Sequence, residues 1–170
     1  TSASVGLRNL RVASVITSGA STVYASTKGD GVFKPTAGGA TWFDLSEGLT
    51  FQDMGELYET DMGSLLVSTW EMGVVRIAKD SMDVGNYEWE MSSSGIYRLD
   101  DFSIYATSFN KDRTDKIYVG TLGKGVFSSE DDGYSWTGER TDELLDHNVT
   151  SFAFSEDDQK DNLVVGTRNW

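Results

Sequence analysis

The sequence predicts an all-β protein assembled from short, repeated antiparallel sheets, and three observations predict it. One apolar, β-branched segment recurs four times, as VYAST ending at Thr27, LLVST at Thr69, IYVGT at Thr121 and LVVGT at Thr167. Eighteen Gly against the single Pro35 supply many turns that need positive φ. Five Trp, seven Tyr and eight Phe offer large side chains for burial, and no segment sustains an apolar period of 3.6 residues.

Each recurring segment is short, apolar and ended by a hydroxyl residue, as expected of a strand buried on both faces and followed by a turn. Four residues after the first three of those Thr a second strand begins, in GVFK from Gly31, GVVR from Gly73 and GVFS from Gly125. The unit therefore contains a hairpin. Upstream lies another strand, in VASVI around Val15, GELYE around Leu57, SIYATSF around Ala106 and VTSFAF around Phe152. A fourth strand begins at Trp42, Trp89 and Trp136. The recurrences stand 42, 52 and 46 residues apart. Four short strands in a tandem unit of that length predict β-propeller blades, small twisted sheets packed face to face around an axis. The expected blades span about 10–46, 51–92, 101–139 and 147–170. The last holds only two strands, so the fold class is three complete blades plus half of a fourth.

Charge narrows the partners. Fourteen Lys and Arg against twenty-seven Asp and Glu leave a net charge of -13, whose averaged field repels nucleic acid and anionic lipid. No apolar run approaches the roughly 20 residues of a membrane span. The absence of Cys excludes disulfides and thiolate metal sites. The chain opens at Thr1 without Met or a signal-like stretch, which predicts a processed or trimmed chain.

The third unit contains SEDDGYSW, Ser129 to Trp136, which resembles the Asp-box, or BNR, motif S-x-D-x-G-x-x-W in full. The first unit has PTAGGATW from Pro35 to Trp42, keeping only the Gly and Trp. The second, SMDVGNYEW from Ser81 to Trp89, keeps Ser81, Asp83 and Gly85 but carries one extra residue before the Trp. With the Gly-Leu linkers at Gly48-Leu49 and Gly95-Ile96, the chain resembles the propeller group of sialidases, xyloglucanases, sortilins and photosystem assembly factors. The resemblance implies that the box sits on the turn between the last two strands of a blade, away from the active face. Physically, Asp131 can accept N–H bonds across that turn, Gly133 can take positive φ and Trp136 can bury its ring between sheets. Ser129, Asp131, Gly133 and Trp136 are thus expected to be structural.

The resemblance places ligand binding at the other end, on the loops between second and third strands and on the links between blades. The first set offers Lys28, Asp30, Trp70, Glu71, Lys124 and Arg168; the second offers Arg98, Asp100 and His147. Trp70 stands out, because an aromatic there can stack on a sugar or anchor a protein. No catalytic residue is assigned. The sialidase Arg-Ile-Pro signature is missing, since Arg8 is followed by Asn9, and the lone His147 has no partner set for a metal. No cofactor is expected, although the acidic loops around Asp112 and from Glu156 to Asp161 leave calcium open. The expected function is a non-catalytic binding or assembly module outside the cytoplasm, with a protein or glycan ligand and with another chain or further blades completing the ring. The alternative is a fragment of a carbohydrate-active glycoside hydrolase whose catalytic residues lie on absent blades.

Overall fold

The computed structural model describes residues 5–19, 22–36, 40–50, 53–70, 72–83, 85–96, 105–111, 116–139, 144, 147–157 and 160–168. Blade 1 is a sheet of β1 (Val12–Ser18), β2 (Thr22–Thr27), β3 (Gly31–Pro35) and β4 (Trp42–Asp44), paired in that order. Blade 2 repeats it with β5 (Met54–Glu59), β6 (Leu65–Thr69), β7 (Val74–Ile77) and β8 (Glu90–Met91). Blade 3 comprises β9 (Tyr105–Lys111), β10 (Ile117–Leu122), β11 (Gly125–Ser129) and β12 (Thr137–Gly138). A two-stranded sheet of β13 (Val149–Asp157) and β14 (Lys160–Thr167) follows. All pairings within the four sheets are antiparallel.

In β6 the recurring segment is buried on both faces because blade 2 lies between blades 1 and 3, whereas its copy in β14, expected to be buried likewise, is partly exposed, with Val164 58% exposed. Along β6, Leu65 and Val67 enter one core with Tyr24, Val32 and Leu45 of blade 1. Leu66, between them, enters a second core with Phe109, Val119 and Trp136 of blade 3. Alternation of side chains across the pleat thus feeds two cores from one strand. The residue before the Thr is small where the next blade's inner strand crosses it. Ser26 Oγ donates to the Gly55 carbonyl at 2.5 Å, and a Cβ on Gly120 would meet Val149 Cγ1 at 2.5 Å.

In the three complete blades the hydroxyl that ends the segment closes the hairpin. Thr27, Thr69 and Thr121 donate from Oγ1 to the carbonyls of Gly31, Gly73 and Gly125 at 3.2, 3.2 and 2.9 Å. The three Thr are buried, so each bond is shielded from competing water.

Blades are also tied in series at their outer edges. The Trp89 indole N–H donates to the Leu45 carbonyl, and that of Trp136 to the Ser92 carbonyl, both at 2.7 Å. The Trp136 backbone N–H donates to the Ser94 carbonyl at 2.8 Å, and Trp42 N–H to the Val5 carbonyl at 2.8 Å. Residues from Val5 therefore lie against blade 1 as Ser94 and Gly95 lie against blade 3. Glycine is required at these crossings: Gly6 and Gly95 take φ of 96° and 91°, and a Cβ would stand 2.4 and 1.8 Å from the Trp42 and Trp136 carbonyl oxygens.

Blade 2 departs from the expected turn. A short helix, α1 (Lys79–Asp83), occupies the start of the segment from Ser81 that keeps three of the box residue types. Asn86 N–H returns to the Ser81 carbonyl at 2.8 Å, so the extra residue before Trp89 is absorbed in a helical turn. No helix among the described residues is long and apolar enough to cross a membrane.

Candidate functional site at the hairpin end

The two ends of the blades are chemically unlike. At the turn end, the blade 3 box is a closed hydrogen-bonded loop. Ser129 Oγ donates to Asp131 Oδ1 at 2.8 Å and accepts from Gly133 N–H at 3.0 Å. Asp131 Oδ1 and Oδ2 accept from the Ser135 N–H and hydroxyl at 2.9 and 2.6 Å. Asp132 takes a φ of 60° and Gly133 one of 81°, which turns the chain back toward Trp136. Burial pushes the Asp131 carboxyl up, but the bonds from Ser135, Ser129 and Tyr134 outweigh it and hold the group below its ordinary 3.8. Both carboxylate oxygens are engaged in closing the turn, as a structural role requires.

A depressed carboxyl contributes stability above its unfolded value and loses it as pH falls through the folded one. Asp131→Asn is therefore expected to lower the unfolding midpoint at pH 7, with the gap from the parent protein closing as pH drops below about 4. Thermal unfolding of both proteins across pH 2–7, approximately the range over which a carboxyl titrates, checks this; a gap independent of pH contradicts it.

The same turn is clasped by blade 2 through a group that the sequence left unassigned. Arg76, on β7, has a side chain only 3% exposed and ion-pairs with Asp132, 6% exposed, at 2.5 Å, and with Glu90 at 2.7 Å. Its Nε donates to the Asp132 carbonyl at 2.9 Å, Ser64 Oγ donates to Asp132 Oδ2 at 2.6 Å, and the Tyr134 ring lies 3.8 Å from the guanidinium. Burial alone would lower the Arg76 pKa, but Asp132 and Glu90 raise it and hold the cation charged. Blade 1 repeats the device in simpler form: Lys34 hydrogen-bonds Tyr87 and stands 4.5 Å from its ring. A cation three residues after the hairpin Gly and a Tyr two before the next Trp is the signal that marks this clasp.

The hairpin end gathers the expected binding residues. In blade 1, Lys28 N–H donates to the Arg11 carbonyl at 2.9 Å, and Asn9 donates from its side chain to the Lys28 carbonyl. Arg8 pairs with Asp44 and stands 3.4 Å from Asp30. Across the blade junction the backbones of Lys28 and Asp53 pair as an isolated antiparallel β-bridge, and the Lys28 ammonium lies 5.8 Å from the centre of the Trp70 ring. Trp70 N–H reaches the Asp53 carbonyl at 3.4 Å, and the side chain is 44% exposed. Lys28, Asp53 and Trp70 therefore form one cluster, built from a blade 1 hairpin, the link and a blade 2 hairpin. Their sequence separations hide this proximity.

A cavity of about 110 Å³ opens beside that cluster. Thr69 and Met72, which flank the Trp70 turn, line it together with Leu49, Met54, Trp89 and Met91. Gly48 also lines it, and a Cβ there would meet no atom within 4 Å, whereas Gly6 and Gly95 are pressed against Trp backbones. The looser linker crossing at this junction coincides with the cavity.

Other expected residues sit apart from the cluster. The backbone carbonyl of His147 accepts from Gly123 and Gly125 at 3.1 and 3.0 Å, bringing the Lys124 hairpin to the link before β13. Arg168 N–H donates to the Asn148 carbonyl at 2.9 Å, and the Arg168 side chain is exposed. Glu71, Arg98 and Asp100 lie outside the described residues, as does Asp112 of the acidic loops. No group of three or more His, Asp or Glu side chains among the described residues is arranged to hold a metal ion.

No protein-family model matches the chain, and no curated protein matches it. Solved structures do. The extracellular domain of the putative one-component system BT4673 from B. thetaiotaomicron superposes with a TM-score of 0.72 at 13% identity, over 96% of this chain and 21% of that one. YCF48 bound to D1 peptide matches with a TM-score of 0.60 at 12% identity, over 79% and 41%. PorZ, a surface component of the type-IX secretion system of Porphyromonas gingivalis, matches with a TM-score of 0.52 at 11% identity, over 95% and 33%. This chain thus spans between about a fifth and two fifths of these proteins. At such identities the likeness concerns fold, and it agrees with the repeat and the four sheets: the chain is built of β-propeller blades.

Proposed function

We propose that the chain is a non-catalytic binding or assembly module that takes a protein segment at the hairpin end, between blades 1 and 2. The observation that carries this reading is the half-exposed Trp70 beside Lys28, on a turn whose flanking residues Thr69 and Met72 line a cavity together with Met54 and Met91. An exposed Trp with a cation against its ring supplies apolar area and a polar handle together, the combination that anchors protein interfaces. Methionine walls adapt to the side chain they receive. YCF48, solved with a peptide bound, supports a peptide ligand over a glycan. The extracellular domain among the neighbours supports a place outside the cytoplasm. The function requires no cofactor.

Screening the protein against peptide and glycan arrays tests the reading. Peptide ligands are expected, and Trp70→Ala should weaken them about tenfold or more, the effect of losing an interface anchor. Glycan-only binding, glycoside turnover, or peptide binding indifferent to Trp70→Ala would each overturn it.

A further inference from the structure

We propose that the cavity beside the Trp70 turn binds one soft monovalent cation, of the class of Cu⁺ and Ag⁺, through methionine thioethers. Three of the five methionines of the chain, Met54, Met72 and Met91, line it. The blade 2 sheet gathers them from three places in the sequence. Met54 at the start of β5 faces Thr69, Met72 lies in the turn that follows Thr69, and Met91 on β8 faces Val75. Met72 is held on both sides: its N–H donates to Thr69 Oγ1 at 2.9 Å, and its carbonyl accepts from Ser93 Oγ at 2.8 Å. Met54 is fully buried, Met72 half-buried and Met91 55% exposed. The three therefore grade from core to surface, and Met91 marks the side of entry.

The donor set selects the ion. A thioether is a neutral, soft and polarisable ligand, suited to Cu⁺ and Ag⁺, whereas Ca²⁺ and Mg²⁺ take oxygen ligands. Zn²⁺ takes thiolate, imidazole or carboxylate. The chain has no Cys, and its single His147 lies beside the Lys124 hairpin of blade 3. Glu90, the carboxylate among the lining residues, pairs with Arg76 at 2.7 Å. Trp89 also lines the cavity, anchored by its indole N–H bond to the Leu45 carbonyl, and an indole face attracts a cation. The net charge of -13 draws cations toward the whole surface.

This inference goes beyond the peptide reading and stands apart from it. The ion needs neither Trp70 nor a peptide, so either result leaves the other intact.

The test titrates Ag⁺, which stays in one oxidation state, into the intact protein in chloride-free buffer. Native mass spectrometry reads the stoichiometry, and the NMR signals of the five methionine methyls read the site. One ion per chain is expected, shifting the methyls of Met54, Met72 and Met91 and leaving those of Met62 and Met82 in place. Leu keeps the volume of Met without its sulfur, so Met72→Leu and Met91→Leu should fold normally. Each should weaken Ag⁺ binding about tenfold or more. Met62→Leu should leave the affinity unchanged, because Met62 is 70% exposed and lines a different cavity, beside Lys116. Zn²⁺ should shift none of the methyls. Binding without saturation, an affinity that survives both Met72→Leu and Met91→Leu, shifts confined to Met62 and Met82, or an equal response to Zn²⁺ would each overturn the proposal and leave the three methionines as apolar packing.

Discussion

Replacing Arg76 with Met is expected to cost about 3–5 kcal/mol, lowering the thermal midpoint by roughly 6–20 °C for a chain of this size. The reason is asymmetry. The guanidinium is 3% exposed and answers Asp132, itself 6% exposed, so removing it leaves the Asp132 side chain buried with Ser64 as its remaining side-chain partner. Asp132→Asn should be milder, because Asn tolerates the left-handed φ of 60°, keeps the backbone carbonyl that accepts from Arg76 Nε and leaves Arg76 paired with Glu90. In the double variant the two losses should fall short of additivity by about 1 kcal/mol or more, as for groups in direct contact. Thermal and urea unfolding of the four proteins measures this. Additive losses, or a shift of under 1 kcal/mol for Arg76→Met, would show that the clasp between blades 2 and 3 is not energetically coupled.

Gly95→Ala should be comparably damaging, at about 3 kcal/mol or more. Roughly 1–2 kcal/mol comes from forcing an L-residue to a φ of 91°. The rest comes from a Cβ 1.8 Å from the Trp136 carbonyl oxygen, which pushes the linker off blade 3 and strains the Trp136 N–H bond to Ser94. Gly48→Ala is the control. It takes a φ of 85° with nothing within 4 Å, so only the backbone term of about 1–2 kcal/mol applies. Similar losses at the two positions would contradict the account of linker packing.

Much of the fold was legible in the sequence because a repeat states its architecture several times. The Thr at 27, 69 and 121 mark strands whose burial and hairpin locks recur in each complete blade. Trp42, Trp89 and Trp136 marked fourth strands, which run Trp42–Asp44, Glu90–Met91 and Thr137–Gly138. The helix at Lys79–Asp83 was not legible, since Ser81, Asp83 and Gly85 keep box residue types while the inserted residue changes their backbone path. The Arg76 clasp escaped because its partner, Asp132, occupies a variable position of the motif on another blade. Gly48 and Gly95 read alike in sequence; only the depth of the neighbouring Trp backbone separates them. The sequence named the hairpin loops as candidates, but the meeting of Lys28, Asp53 and Trp70 depends on how consecutive blades dock.

The division of labour between the two ends is the claim on which the rest depends, and one paired measurement tests it. A peptide ligand selected on the parent protein is titrated into Asp131→Ala and Trp70→Ala, with the unfolding midpoint of each recorded alongside. Asp131→Ala is expected to lose about 1–3 kcal/mol of stability, from the turn hydrogen bonds it forfeits, while binding with unchanged affinity below its midpoint. Trp70→Ala is expected to keep its midpoint and lose about tenfold or more in affinity. The reverse pattern, with folded Asp131→Ala unable to bind and Trp70→Ala unaffected, would place the function at the Asp-box turn and contradict the account.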